Sequence, residues 1–113
     1  MSIRTERLAS VLHKEISDIV ANEIRDEDIK FVTITHLRLS PDLSYAKVYF
    51  TTLLDEKREK IKKDLNGAKG FIKSELCKRK IRIRKIPDLE FVYDESIEYG
   101  NKIETIIKNI HTD

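Results

Sequence analysis

The chain has 113 residues, 40% of them apolar and 37% charged, with a formal net charge of +2 and a single cysteine, Cys77. That length suits one domain over residues 1–113 with its own core, and the lone thiol excludes an internal disulfide. No apolar run approaches the ~20 residues that a membrane-spanning helix requires, and the first residues lack the apolar stretch and cleavage site of a signal peptide, so a soluble intracellular protein with no membrane partner is expected.

The first predicted element is a helix from about Thr5 to Ile24. Leu8, Val11, Leu12, Ile16, Ile19, Val20 and Ile24 recur every three or four residues, and no glycine or proline interrupts them. Asp26-Glu27-Asp28 ends it in a polar turn. Phe31 to Leu39 is rich in β-branched residues and reads as a strand. Ser40-Pro41-Asp42 is turn chemistry. In Tyr45 to Thr51, Ala46, Val48 and Phe50 alternate with Tyr45, Lys47, Tyr49 and Thr51, so the two strands form an antiparallel hairpin. Asp55 is the expected N-cap of a second helix with an Ile61, Leu65, Ala68 stripe. That helix breaks near Gly67 and Gly70. A third helix follows, with Phe71, Ile72 and Leu76 inward and Lys69, Lys73 and Lys80 outward. Ile81 to Arg84 alternates as an extended segment until Pro87. Leu89, Phe91 and Tyr93 mark a third strand. Asp94 or Ser96 caps a final helix whose buried face is Ile97, Ile103, Ile106, Ile107 and Ile110. Helices on one face of a three-stranded sheet define an α+β fold.

Charge is distributed unevenly along this frame. Lys57 to Lys85 holds 13 Lys and Arg against three acids, a local charge of +10, so the remaining 84 residues sum to −8. A concentrated basic region on an otherwise acidic chain is the footprint of a protein that docks one surface on a polyanion. Interleaved glutamates would serve solubility better and add i,i+4 pairs. Lys62, Lys63, Lys69, Lys73, Lys78, Arg79 and Lys80 are the candidate phosphate contacts on the helices. Arg82 and Arg84 extend the set, since arginine grips phosphate with two parallel bonds. Gly67, Ala68 and Gly70 would let a nucleic-acid backbone come close. Tyr45 and Tyr49 share one strand face, where they either stack bases or cover apolar surface. Arg4 and Arg7 either extend the basic surface or pair with neighbours such as Glu6.

The element order is similar to that of a type II KH domain. Arg4 and Arg7-Leu8, Thr33-Ile34-Thr35, Leu39-Ser40-Pro41-Asp42-Leu43, Ala46-Lys47-Val48-Tyr49, Leu65 to Ile72, Ile83-Arg84, Ile86 to Phe91 and Tyr93-Asp94-Glu95-Ser96 together resemble the bacterial ribosome-binding factor A family over nearly the whole chain. The resemblance implies a KH-like, cytoplasmic, non-catalytic assembly factor. It would bind immature small ribosomal subunits and 16S rRNA, assist late rRNA processing, and be linked to growth in the cold. It also implies that Ala68-Lys69-Gly70 is the family's Ala-x-Gly helix kink. Gly67-Ala68-Lys69-Gly70 satisfies the KH GxxG spacing as well, which leaves a more open loop as an alternative.

No catalytic constellation is visible. His13, His36 and His111 fall on different elements and show no metal spacing with Cys77, which reads as a small packed residue. No metal, cofactor or enzymatic activity is expected, and the free protein is expected to be a monomer. The alternatives are a general KH-type binder of single-stranded RNA and a protein–protein interaction module whose acidic remainder meets a basic partner.

Overall fold

The computed structural model describes residues 3–81 and 83–96. Arg82, His111 and the predicted final helix beyond Ser96, with Ile97, Ile103, Ile106, Ile107 and Ile110, lie outside the described residues. Helix α1 spans Ile3–Asn22, and its three- and four-residue spacing gathers Leu12, Ile16, Ile19 and Val20 into one fully buried stripe. A short 3₁₀ turn at Ile29–Phe31 then leads into strand β1, Val32–Leu39. Strand β2, Tyr45–Thr52, runs antiparallel to it, with Ala46, Val48 and Phe50 completely buried as their alternation requires.

The link between these strands is built around one carboxylate. Asp42 accepts bonds from the Ser40 hydroxyl (2.7 Å), the Ser44 hydroxyl (2.8 Å) and the Ser44 amide (3.1 Å). Those bonds hold Leu43 at φ 63°, a left-handed conformation that a leucine adopts at a cost of roughly 1–2 kcal/mol. The three donors pull the Asp42 carboxyl down to about 2, with Ser40 the largest contributor.

Helix α2 spans Arg58–Gly67 and α3 spans Lys69–Lys78. Strand β3, Asp88–Tyr93, pairs parallel with β2, so the sheet order is β1-β2-β3 with the two helices as the crossover. Ile61 and Leu65 from α2, and Ile72 and Leu76 from α3, meet Val48, Phe50 and Phe91 in one core. α1 lies over β1 and α3, and α2 lies over β3. His13 on α1 donates from Nε2 to the Ile34 carbonyl at 2.7 Å, next to the bulge where β1 shifts register between Ile34 and His36. The bulged Thr35 donates its hydroxyl to Asp94 at 2.6 Å. Asp94 in turn accepts the Ser96 amide at 3.1 Å and so caps the helical turn that begins at Glu95.

Four local expectations change. Asp55 does not cap α2 with its side chain: it opens a 3₁₀ turn, Asp55–Lys57, that feeds the helix directly, and it accepts a bond from the Tyr93 hydroxyl at 3.4 Å. Phe71 is 44% exposed, because the break resets the helical phase and Ile72 with Leu76, four apart, take the inward stripe. Cys77, one residue past Leu76, is turned outward and exposed. The segment from Ile81 is not a strand. Lys80 takes φ 53°, and the Ile83 amide bonds the Ile81 carbonyl at 2.8 Å, a contact that extended backbone does not make.

Because the folded Asp42 carboxyl ionises well below its unfolded value near 3.8, the stability it contributes is complete above that value and is lost as pH falls toward 2. Urea titrations at pH 7, 4 and 2.5 should show the Asp42→Asn variant less stable than the parent at pH 7, with the gap closing at pH 2.5. A gap that stays constant with pH would contradict this.

Candidate nucleic-acid interface

The sequence places a break between two basic helices near Gly67 and Gly70, and the structure confines it to one residue, Ala68, at φ −92° and ψ 1°. The Ala68 amide is shared between the carbonyls of Asp64 (3.0 Å) and Leu65 (3.1 Å), and its own carbonyl accepts the Ile72 amide at 3.0 Å. The hydrogen-bond ladder is therefore bent rather than opened. Gly67 closes α2 and Gly70 sits in the first turn of α3, so the GxxG spacing is housed in helix, not in a KH-type loop.

Neither glycine is required by the fold. Neither has a positive φ, and a Cβ added at either position would meet nothing within 4 Å. Their bare backbone faces open space, where another molecule can approach closely.

What holds the break in place is Asn66, in the last turn of α2. Its side-chain oxygen accepts the Phe91 amide at 3.0 Å, and its side-chain nitrogen donates to the Phe91 carbonyl at 3.1 Å. The same nitrogen also reaches the Lys62 carbonyl at 3.0 Å. The amide thus copies the pairing of a neighbouring strand along the outer edge of β3. Its only signal in the sequence is an asparagine beside the expected break, which a turn would explain equally well.

The break sets α3 against the starts of β2 and β3, across a cleft of about 420 Å³ whose lining includes Lys69, Gly70, Lys73, Tyr45, Asp88 and Glu90. Lys73 Nζ lies 3.0 Å from Asp88 Oδ1. That ammonium holds the Asp88 carboxyl below its ordinary value, with Lys85 and Lys69 adding to the pull, so three cations converge on one exposed acid. Across the cleft, Tyr45 donates to Glu90 at 2.6 Å, and this bond, with some burial, raises the Tyr45 hydroxyl to about 12. Tyr45 is therefore engaged at its polar tip, and the residue is 38% exposed. Tyr49, on the same strand face, packs its ring 5.7 Å from that of His36.

The basic segment divides into committed and uncommitted cations. Arg79 reaches back to α1, 2.7 Å from Glu15 and 2.8 Å from Asp18, which raises the guanidinium above its ordinary value. Lys78 pairs with Glu75 at 3.3 Å. Lys57 and Lys60 clasp Asp28 at 3.2 and 3.0 Å, and Lys60 also pairs with Asp64 at 2.8 Å. The first two bonds hold the Asp28 carboxyl low, Lys60 contributing most, so this acidic turn anchors α2 rather than standing in solvent. Arg58 lies over the Tyr93 ring at 4.9 Å. Lys62, Lys63, Lys69, Lys80 and Arg84 make no ion pair among the described residues. Lys69, Gly70 and Lys73 come together in the cleft, and Arg84 joins Lys73 in the adjoining one. Lys62, Lys63, Lys78, Arg79 and Lys80 line neither, and Arg82 lies outside the described residues. Lys85, which the Arg82-x-Arg84 alternation passes over, faces the cleft system.

Comparison with known proteins settles the family. The family model described as ribosome-binding factor A matches residues 4–107. The chain belongs to the ribosome-binding factor A family. A ribosome-binding factor A from Staphylococcus carnosus is 50% identical over 110 residues, covering 96% of this chain and 95% of its own length. The crystal structure of ribosome-binding factor A from Thermus thermophilus superposes with a TM-score of 0.71 at 26% identity, over 79% of this chain and 93% of that one. A homology model of T. thermophilus ribosome-binding factor A, fitted into a cryo-EM map of a complex with the 30S subunit, superposes with a TM-score of 0.65 at 24% identity, over 79% of this chain and 93% of that one, and shares the fold.

Replacing Asn66 by alanine should strand the Phe91 amide and carbonyl and cost about 1–3 kcal/mol. Urea unfolding checks this, and a change within ±0.5 kcal/mol, the range of an ordinary surface substitution, would remove Asn66 from its role.

Proposed function

We propose that this chain is a non-catalytic assembly factor of the small ribosomal subunit, working in the cytoplasm. It binds 16S rRNA of the immature particle through the face formed by the helix break, Lys69, Lys73 and their neighbours. The observation that carries this reading is the meeting of Lys69 and Lys73 in one cleft beside outward-facing glycine backbone, with Arg84 and Lys85 in the depression that adjoins it, in a chain of the ribosome-binding factor A family. The T. thermophilus relative fitted into a map of a 30S complex supports the choice of partner.

Binding energy is the whole mechanism. Each phosphate that a lysine neutralises releases condensed counterions, and gripping one rRNA conformation shifts the population toward it. Assistance to late rRNA processing, and a need felt most in the cold, follow as expectations for such a factor. A maturing subunit that no longer offers the site would release the protein.

Asp88 competes with phosphate for Lys73, and this gives the site a graded response. The Lys69→Glu/Lys73→Glu double variant should lose co-sedimentation with small subunits while keeping its helical circular dichroism. Asp88→Asn should tighten binding several-fold by releasing Lys73. For the parent, log affinity against log salt should fall with a slope of roughly −0.7 to −0.9 per phosphate contacted. Unchanged sedimentation of the double variant, or a flat salt response, would refute the interface and favour a protein-binding role.

A further inference from the structure

A wider groove, of about 790 Å³, lies between the first half of α1, the β1–β2 turn and the segment after α3. Its floor is aliphatic, made by Leu8, Val11, Leu43, Ile81 and Ile83, and Val11 is 44% exposed there. Its rim carries Arg4, Arg7, Arg84 and Lys85. Among the described residues none of these four cations has an ion-pair partner. The acid in the lining, Asp42, is engaged by three donors of its own turn. The same turn holds Leu43 in its left-handed backbone at the groove. Strain of that kind, maintained by a dedicated set of hydrogen bonds, is a mark of a surface shaped for use.

The groove is also continuous with the helix-break cleft. A third depression, of about 410 Å³, lies between the two. Lys73 lines both it and the cleft, and Arg84 with Lys85 line both it and the groove. Cations therefore follow an unbroken path from Lys69 to Arg4, turning where the backbone bends at Arg84 and Lys85.

We propose that the groove holds the continuation of the same RNA strand, unpaired, that the Lys69–Lys73 cleft grips. Phosphates rest on Arg4, Arg7 and Arg84, and a base lies on the aliphatic floor. This rests on the RNA-binding function proposed above. Three of the four rim cations are arginines, whose planar forks grip phosphate with paired bonds and whose faces stack on exposed bases. A flexible single strand can follow the turn at Arg84. An acidic peptide would satisfy the same rim charges, but the shared walls with the cleft favour the RNA.

Two photoreactive variants test the path on purified immature small ribosomal subunits. One carries a benzophenone side chain in place of Val11, on the groove floor. The other carries it in place of Phe71, beside Gly70, which is equally exposed at 44%. Both should form adducts with 16S rRNA, within one contiguous single-stranded stretch. Adducts from the Phe71 position alone, or adducts from the Val11 position to protein only, overturn the groove proposal and leave the proposed function standing. Adducts from neither position overturn both. Adducts from the Val11 position alone, or in unconnected rRNA segments, overturn the continuous path. As a second readout, the Arg4→Glu/Arg7→Glu variant should bind at least tenfold more weakly and flatten the salt slope by roughly two. Unchanged affinity in that variant overturns the proposal as well.

Discussion

The two bonds between the Asn66 side chain and the Phe91 main chain are the constraint on which the rest of the surface depends. A helix break with two glycines nearby would otherwise be a hinge, because glycine tolerates many backbone conformations. Pinning the last turn of α2 to β3 removes that freedom on one side of Ala68. Burial of Ile72 and Leu76 removes it on the other. Between these fixed points the backbone of Gly67 and Gly70 is presented at a defined angle, with Lys69 and Lys73 aimed toward Asp88. Preorganisation of this kind spares the ordering entropy that flexible lysines on a mobile loop would forfeit on binding.

Much of the scaffold was legible because it is written in local periodicity. The buried stripe of α1, the alternation of β2 and the place of the break each depend on residues within a few positions of one another. Phe71 and Cys77 were misplaced for a related reason. Each stands one residue from the buried pair Ile72 and Leu76, and one residue turns a helical side chain by about 100°. The β1 bulge, and the engagement of Thr35 with Asp94, left no local mark at all.

The electrostatics were legible only as a total. Counting found the basic segment, but its cations divide between scaffold and surface according to contacts made far away in sequence. Arg79 is held by Glu15 and Asp18, 60 or more positions earlier, and Lys57 with Lys60 by Asp28. Part of the acidic excess elsewhere in the chain therefore anchors the basic helices to the body of the protein. What remains uncommitted is a smaller set than the +10 suggests: Lys69, Arg84 and Lys85 line concave surface, whereas Lys62, Lys63 and Lys80 stand outside it. Charge that is already paired contributes little to a long-range field, so the uncommitted residues dominate the positive potential of this region.

The parallel pairing of β3 with β2 bears on how the molecule comes together. The β1–β2 hairpin closes a short loop, whereas β3 reaches its place only after the chain from Leu53 to Pro87 has returned across the sheet. Closing the longer loop carries the larger entropic penalty before any contact repays it. Asn66 has no strand edge to bind until β3 has docked. The shaped cleft is thus a property of the finished fold, and a nascent or partly unfolded chain, though just as rich in lysine, does not have it.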